Sequence, residues 1–454
     1  MRQTSPHPQR VPRRLAALVA VGALALTGCG GSSNDDATKP PGGTASGDAP
    51  ALSGDLNIVI SSADASDKAF NELNEAFKLA NPGVDAVVTS VPNDTYDATK
   101  AAQMTAGSAD IVVISFKGFR DTPQYAADSK TADVLLAEAG GYLDLTDEPF
   151  MANYNPSLIE SVKISGRAYA VPTGLSYANG VFYNKQIFAD NGLDIPTTWA
   201  EMEAVIATLQ AASITPFGIG GKDIWPAGLT MLGIVSGLYP SGDAEQELMD
   251  GLWGGTLKLD EGKQLTVMER VETVFQAANK NFAGEGYDVQ PSEFAQGKFA
   301  MLPDGTWNHT VITEAVAGAF EIGFFPMPGG DTAADNAYLN GKVELMLGVN
   351  AASKNKEAAL AWLTFFSDPA NYAGFVTGAG WASSQPGIAQ GEFFDSIAGY
   401  TAEFRPLWEV FWIPNNDSGE AAQYPFNYPA IAPLGTQSAA DAAKAAQEAW
   451  AAGF

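Results

Sequence analysis

The sequence DLNIVISSADASDKAFNELNEAFKLANPG (residues 55–83) joins a short apolar run to a longer amphipathic pattern. The run Leu56–Ile60 predicts a β-strand, and apolar residues then recur at helical spacing as far as Ala80. Ser66 stands where a helix N-cap is expected, and Asn81-Pro82-Gly83 ends the pattern. A strand over 85–91, a helix over 95–106 and a strand over 109–115 follow. Short links between these elements imply right-handed crossovers and a parallel sheet, so the predicted fold class is α/β.

The loops that follow the three predicted strands are the first candidates for a binding site. Ligands of parallel α/β sheets bind at the carboxyl ends of the strands. The candidate ligand-binding residues at these positions are Ser62, Asn93, Phe116 and Lys117. The lysine also has a simpler explanation, because its long side chain can extend into solvent.

The first 28 residues have the composition of a secretory signal. Four arginines precede an apolar run from Leu15 to Leu26, which is too short for a membrane-spanning helix of about 20 apolar residues. Leu26-Thr27-Gly28-Cys29 resembles the lipobox of bacterial lipoproteins, in which the cysteine is acylated. We therefore expect a lipoprotein signal peptide over 1–28 and a lipid anchor on Cys29. An ordinary cleaved signal that ends near a cysteine is the alternative. Residues 29–54, rich in Gly, Ser, Asp, Thr and Pro, predict a flexible tether.

Charge and cysteine content exclude several classes of protein. The 454 residues carry a formal charge of −27, which opposes nucleic-acid binding because Lys and Arg are needed to neutralise phosphates. The same balance offers no polybasic surface for anionic lipid, so membrane attachment would depend on the lipid alone. A single cysteine excludes an intramolecular disulfide and a cysteine-based metal cluster. Even without residues 1–28, the chain is long enough to divide into two domains.

Four stretches further along the chain carry a family resemblance. They are FYNKQIFADNGLDIPTTWAEM (182–202), FAQGKFAMLPDGTW (294–307), IGFFPMPGG (322–330) and SKNKEAALAWLTFF (353–366). In this order and rough spacing, they resemble passages of the extracellular solute-binding proteins of the maltose-binding type, which are subunits of ABC importers. The resemblance covers nearly all of the chain from Asp55 onward.

The resemblance implies a two-lobed, periplasmic-binding-protein-like (type II) α/β fold with discontinuous lobes and a cleft between them. On the family pattern, lobe 1 comprises 55–173 and 329–368, and lobe 2 comprises 174–328 and 369–454. Crossing strands form a hinge, and the lobes close over a solute. The implied function is to capture a carbohydrate and deliver it to the transmembrane subunits of an ABC permease. The implied protein is a monomer without enzymatic activity, cofactor or metal.

Aromatic residues supply the main candidates for the solute site. In the family, the tryptophan that follows Gly305 by two residues lines the cleft, so Trp307 is the first candidate. An indole can pack against a sugar face while its N–H donates a hydrogen bond, although Trp307 could instead fill the core. Asp304 could accept hydrogen bonds from hydroxyl groups or could be a turn residue. Trp225 and Trp381 lie in loops rich in Gly and Pro, where an uncovered ring would indicate a site.

Polar candidates lie around the expected hinge. Ser176 and Tyr177 follow the first crossing strand, where the family has cleft residues that are often carboxylates. Thr173 and Asn340 are expected to contact hydroxyl groups. Sugar-binding members of the family frequently carry an acidic residue in the loop that here holds Lys117. These departures leave the solute open, and an acidic sugar or another anion would also fit.

Patterns typical of catalytic or metal sites are absent from the sequence. His309 is the only histidine after residue 28, and no nucleophile elbow, His-Glu-x-x-His, Cys-x-x-Cys or EF-hand loop occurs. A secreted glycoside hydrolase would share the acidic, aromatic-rich composition and is one alternative. A binding protein for a non-sugar solute, such as a polyamine or a peptide, is the other.

Overall fold

The computed structural model describes residues 52–93 and 95–454. The predicted signal peptide, Cys29 and nearly all of the predicted tether lie outside the described residues. Within the two described ranges, no helix is both long enough and apolar enough to cross a bilayer.

Short strands alternate with helices along the described chain. The strands are β1 (Gly54–Ser61), β2 (Val84–Val91), β3 (Ile111–Ile114), β4 (Lys163–Ile164), β5 (Arg167–Ala168), β6 (Leu175–Tyr177), β7 (Gly180–Asn184), β8 (Met301–Asp304), β9 (Ile322–Pro326), β10 (Asn340–Val343), β11 (Met346–Val349) and β12 (Arg405–Pro406). The α-helices are α1 (Asp64–Ala80), α2 (Tyr96–Ala106), α3 (Ala132–Glu138), α4 (Pro156–Glu160), α5 (Lys185–Asp190), α6 (Trp199–Ala211), α7 (Trp225–Leu238), α8 (Gly242–Trp253), α9 (Gly262–Gln276), α10 (Gln290–Ala295), α11 (His309–Val316), α12 (Lys356–Ser367), α13 (Pro369–Gly378), α14 (Glu392–Ser396), α15 (Trp408–Phe411) and α16 (Ala439–Ala451).

The first sheet has the strand order β11-β3-β1-β2. Strand β1 is parallel to both β2 and β3, with Ile58 opposite Val88 and Ile111, as the strand–helix–strand pattern predicted. Helices α1 and α12 pack against this sheet. Because its faces are covered, β3 can consist of four buried apolar residues.

Helix α1 begins earlier than predicted. It starts at Asp64 with Ala63 at the N-cap position, so the prediction that Ser66 is the cap is wrong. Ser66 lies inside the first turn, where its hydroxyl donates to the Ala63 carbonyl at 2.9 Å, a bond that serine commonly makes within helices. The predicted end of this helix is confirmed, since Asn81 follows its last residue.

The second sheet has the strand order β8-β7-β9 and is antiparallel throughout. Strands β8 and β9 carry little local signal of strand formation in the sequence. Each contains a proline, Pro303 or Pro326, which is a poor strand former because it cannot donate a backbone hydrogen bond. Both strands lie at sheet edges, where a missing donor is tolerated.

A third sheet, with strand order β12-β10-β6, connects the other two. Strand β6 continues through residues 178–179 into β7 of the second sheet, and β10 leads into β11 of the first. We call β6, β10 and β12 the hinge sheet. Leu345 has a positive φ of 36°, which separates β10 from β11.

Buried apolar residues form two clusters. One is built on the first sheet and the other on helices such as α7, α9 and α16. Helix α13, which the expected boundary at residue 368 assigns to lobe 2, packs against α1, and the Phe70 and Phe375 rings lie 4.7 Å apart. This contact favours a later exit of the chain from lobe 1, and the exact lobe boundaries stay a prediction.

Candidate functional site

Three aromatic side chains gather where the two hydrophobic clusters meet. Trp307 follows the end of β8 and packs against both clusters. The Trp225 ring lies 6.4 Å from the Trp307 ring and 4.6 Å from the Tyr287 ring, measured between centroids. We call Trp225, Tyr287 and Trp307 the aromatic cluster. Trp225 is 37% exposed, so the cluster offers an apolar face to a bound molecule.

The backbone that carries Trp225 is strained. Ile224 has φ 63° and ψ −60°, a conformation that β-branched residues rarely adopt. Such a conformation costs about 1–3 kcal/mol and is typical of functional sites. The Ile224 N–H donates to the Gly221 carbonyl, and the Ile224 carbonyl accepts from the Ala227 N–H. These bonds hold the turn that places Trp225 at the start of α7.

A buried carboxyl group positions the aromatic cluster. Asp304 accepts hydrogen bonds from the Tyr287 hydroxyl at 2.9 Å, the Asn308 amide at 2.7 Å and the Gly305 N–H at 2.7 Å. The Tyr287 hydroxyl accepts in turn from Trp307 Nε1 at 2.8 Å. Burial raises the pKa of Asp304 to about 7, although the three donors lower it. Both carboxyl oxygens are used inside the protein, so we interpret Asp304 as a positioning residue.

The raised pKa of Asp304 predicts a pH-dependent stability. The native state holds this proton more tightly than the unfolded chain, where the ordinary pKa is 3.8, so the free energy of unfolding falls as the pH rises from about 4 to about 7. In D304N this contribution is gone. The stability of the wild type relative to D304N should therefore decrease by up to about 1.4 kcal/mol per pH unit.

Urea unfolding of both proteins at about pH 5 and about pH 7 measures this difference. Burial lowers the pKa of His309 to about 4, which gives a pH dependence of the opposite sign, but both proteins carry His309 and its effect cancels. An equal difference at the two pH values would contradict the assignment of a raised pKa to Asp304.

Lys342 of β10 connects the aromatic cluster to the first sheet. Its Nζ lies 4.9 Å from the Trp307 ring centroid and 4.9 Å from that of Phe116, which follows β3; both distances are within cation–π range. The same ammonium lies 2.9 Å from Oε1 of Glu344, and this oxygen also accepts a hydrogen bond from the Ser176 hydroxyl. The hinge sheet thus brings a cation, a carboxylate and a hydroxyl to the aromatic cluster.

Comparison with known proteins identifies the family. Residues 61–373 match the family model described as bacterial extracellular solute-binding protein. The chain belongs to this family. It is 24% identical over 304 residues to a multiple sugar-binding protein of Streptococcus mutans, and the match covers 66% of this chain and 68% of that protein.

Solved structures agree with the family assignment. The solute-binding protein resembles the SBP RafE in complex with raffinose, with a TM-score of 0.71 and 22% identity over 87% of this chain and 98% of that one. It also resembles a chitin oligosaccharide binding protein, with a TM-score of 0.71 and 20% identity over 88% of this chain and 99% of that one. These proteins are two-lobed, and the predicted two-lobed α/β fold is confirmed.

The hinge sheet of this solute-binding protein places the predicted Ser176 and Tyr177 on opposite faces. Ser176 pairs with Lys342, whereas Tyr177 pairs with Gly341 and therefore projects to the other side. There Tyr177 lines a cavity of about 290 Å³ together with side chains from residues 390–404, and burial raises its pKa to about 12. The structure brings Ser176 to the aromatic cluster and directs Tyr177 away from it.

Three other predicted residues are used inside the protein. Trp381 is 4% exposed, and its ring lies 5.6 Å from the Phe375 ring in the first hydrophobic cluster. The expectation that this ring faces the solute is corrected, because core residues cover it. The Thr173 hydroxyl and the Asn340 side-chain amide both donate to backbone carbonyls in or beside the hinge sheet. Their contacts in the structure fix the hinge strands.

The residues predicted at the rim of the first sheet have different surroundings. Lys117 forms an ion pair with Glu409 of α15, with Nζ and Oε1 2.7 Å apart, and so joins distant segments of the chain. The Ser62 hydroxyl donates to Asp67 of α1 at 3.5 Å, and Asn93 is exposed. Phe116 alone of the four rim predictions is placed beside Lys342 and the aromatic cluster.

Further contacts join the loop after β3 to helix α8. The Tyr125 hydroxyl donates to Asp250, and the Tyr125 ring lies 5.7 Å from the Trp253 ring. The Arg120 guanidinium donates to Gln246 of the same helix. Together with the Lys117 ion pair, these contacts join residues 117–125, which follow β3, to helices α8 and α15.

Sequence reasoning missed Tyr287, Lys342 and Glu344. For the last two a signal existed, because charged residues that alternate on an otherwise buried strand lie on one face and need a partner there. Nothing local marks Tyr287, since Trp225 and Asp304 approach it only after the chain has folded.

Proposed function

We propose that this solute-binding protein captures a carbohydrate, a mono- or oligosaccharide, and delivers it to the transmembrane subunits of an ABC permease. The aromatic cluster carries the proposal. Sugar rings present apolar C–H faces that pack on flat aromatic rings, and Trp225 and Trp307 supply such rings where the two hydrophobic clusters meet. The names of the similar proteins, which refer to sugars and chitin oligosaccharides, support this class of solute.

Hydrogen-bonding groups beside the rings suit a hydroxylated ligand. The Lys342 ammonium can donate and the Glu344 carboxylate can accept, while the buried Ser176 hydroxyl donates to Glu344 and holds that carboxylate in place. A few polar groups within a mostly apolar site are typical of small-molecule binding sites, because they fix the orientation of the ligand.

Closure of the two lobes would complete the site. Contacts such as Tyr125 with Asp250 and Lys117 with Glu409 require the segment after β3 and the segments around α8 and α15 to approach each other. A saccharide that touches Phe116 on one side and Trp307 on the other would add ligand contacts that exist only in this closed form. Differential binding of that kind shifts the population toward the closed form, which a permease can distinguish from the empty protein.

We also propose that residues 1–28 direct export and that lipid on Cys29 anchors the protein to the cell membrane through the tether. The support is the apolar run that ends in Leu-Thr-Gly-Cys and the position of the only cysteine. The mass of the mature N-terminal peptide tests this proposal. In our proposal the protein acts as a monomer, without a cofactor and without catalytic turnover.

Saccharides that bind should stabilise the protein and should be recovered intact. At a hundredfold excess over Kd, a ligand adds about 2.7 kcal/mol to the free energy of unfolding, so thermal unfolding with a panel of saccharides measures binding. Chromatography of the same mixtures measures turnover. Release of smaller products would favour a glycoside hydrolase, and stabilisation by a polyamine or peptide but by no saccharide would favour a non-sugar solute.

A further inference from the structure

The charges next to the aromatic cluster are paired with each other. The Lys342 ammonium lies 2.9 Å from the Glu344 carboxylate, and their side chains are 19% and 9% exposed. The Ser176 hydroxyl donates to the same carboxylate. Because both groups are largely removed from water, their interaction is screened far less than that of a surface pair.

Glu344 lies close to the aromatic cluster, because the Lys342 ammonium that it binds at 2.9 Å is itself 4.9 Å from the Trp307 ring centroid. Burial raises the pKa of the Tyr287 hydroxyl, and the carboxylates of Asp304 and then Glu344 raise it further. A negative ligand next to Trp307 would therefore meet the field of Glu344 in addition to the ammonium of Lys342.

Lys117, the other lysine that could bind an acidic solute, is also paired with a carboxylate. Lys117 lies 2.7 Å from Glu409. The Lys117 side chain is 59% exposed, and the charge of Glu409 raises the pKa of the lysine. An acidic sugar that binds to either lysine would therefore lie close to a second carboxylate, Glu409 or Glu344.

We propose that the Lys342–Glu344 pair makes the cleft selective for uncharged saccharides, with Glu344 as the residue that rejects uronic acids. This inference rests on the proposed carbohydrate function and specifies its substrate class. A hydroxyl group can both accept and donate hydrogen bonds. A neutral sugar can therefore accept a hydrogen bond from Lys342 and donate one to Glu344 at the same time. A carboxylate can use only Lys342 and is repelled by Glu344, and such repulsion is a common source of specificity.

The test compares the wild type with E344Q and with the double variant K342M/E344Q. Glutamine keeps the shape of Glu344 but leaves the Lys342 charge uncompensated, whereas the double variant is again neutral and is the matched control. The probes are neutral trisaccharides (raffinose, maltotriose, xylotriose, chitotriose and α-1,4-galactotriose) and the anionic α-1,4-trigalacturonate. Calorimetric titration gives the affinity for trigalacturonate relative to the neutral trisaccharide that binds best.

E344Q should raise this relative affinity by about tenfold or more, and K342M/E344Q should return it to the wild-type value. Binding of uronate in preference to every neutral trisaccharide by the wild type would overturn the inference while leaving the carbohydrate function intact. An unchanged ratio in E344Q would do the same. Failure of every saccharide to bind the wild type would instead contradict the proposed function, and the inference with it.

Discussion

Replacing Trp307 by alanine is expected to weaken saccharide binding about 100-fold, or about 2.7 kcal/mol, as truncation of a central aromatic contact commonly does. The indole packs against both hydrophobic clusters and lies within 6.4 Å of Trp225, so its removal opens the middle of the site. It also removes the donor to the Tyr287 hydroxyl and the ring that faces the Lys342 ammonium. Isothermal titration with a saccharide that stabilises the wild type measures the loss.

The matched control is Trp307→Phe, which retains a flat ring for stacking but loses the N–H and the second ring of the indole. We expect W307F to bind within about tenfold of the wild type, because one neutral hydrogen bond contributes about 0.5–1.5 kcal/mol. The melting temperature of each ligand-free variant shows whether Asp304 and Tyr287 still form their network. Wild-type affinity in a folded W307A protein would rule out Trp307 as a stacking platform and would favour a ligand held elsewhere in the cleft.

The parts of the fold that could be predicted from sequence are those with local periodic patterns. The strand–helix–strand unit from β1 to β3 was predicted because each element is an unbroken apolar or amphipathic run. Ser438, a residue type favoured at N-caps, precedes the Ala-rich run of α16, and its side chain accepts from the Asp441 N–H. Strands β8 and β9 are short and contain proline, and their edge positions, which make the proline acceptable, are a property of the assembled sheet.

In the candidate site too, some residues could be selected from the sequence, whereas others are placed there only by the folded structure. Trp307 was selected from the family resemblance, and Trp225 because an uncovered ring in a loop rich in Gly and Pro indicates a site. The same reasoning selected Trp381, which the structure places in the core. The sequence alone does not show which aromatic ring in a loop is covered by residues that are distant in the chain. The positions of Tyr287 and Lys342 are likewise set by contacts between segments far apart in the chain.

A buried ionic network holds the end of β3, just before Phe116. Asp133 of α3 accepts from Lys100 Nζ with both oxygens at 2.8 Å, from the Ser115 N–H at 2.8 Å and from the Tyr142 hydroxyl at 2.6 Å. Lys100 and Asp133 are 5% and 6% exposed. The favourable energy of such a pair is offset by the loss of hydration of both ions, so the network is not itself a large net stabiliser.

Removing one partner of this network has a much larger effect than the net value of the pair, because the other charge stays buried. Asp133→Ala is expected to lower the free energy of unfolding by about 3–5 kcal/mol, since the buried Lys100 would keep only the exposed carboxylate of Asp97, 3.6 Å away, as an ionic partner. The matched control is Glu72→Ala, which removes the exposed pair of Glu72 with Lys68, 4.0 Å apart, and should change stability by less than about 1 kcal/mol. Urea unfolding measures both variants, and a D133A protein as stable as E72A would contradict the role given to the network. Because Asp133 also binds the Ser115 N–H, a destabilised but folded D133A protein should bind saccharide more weakly, which links the core of the first sheet to the position of Phe116.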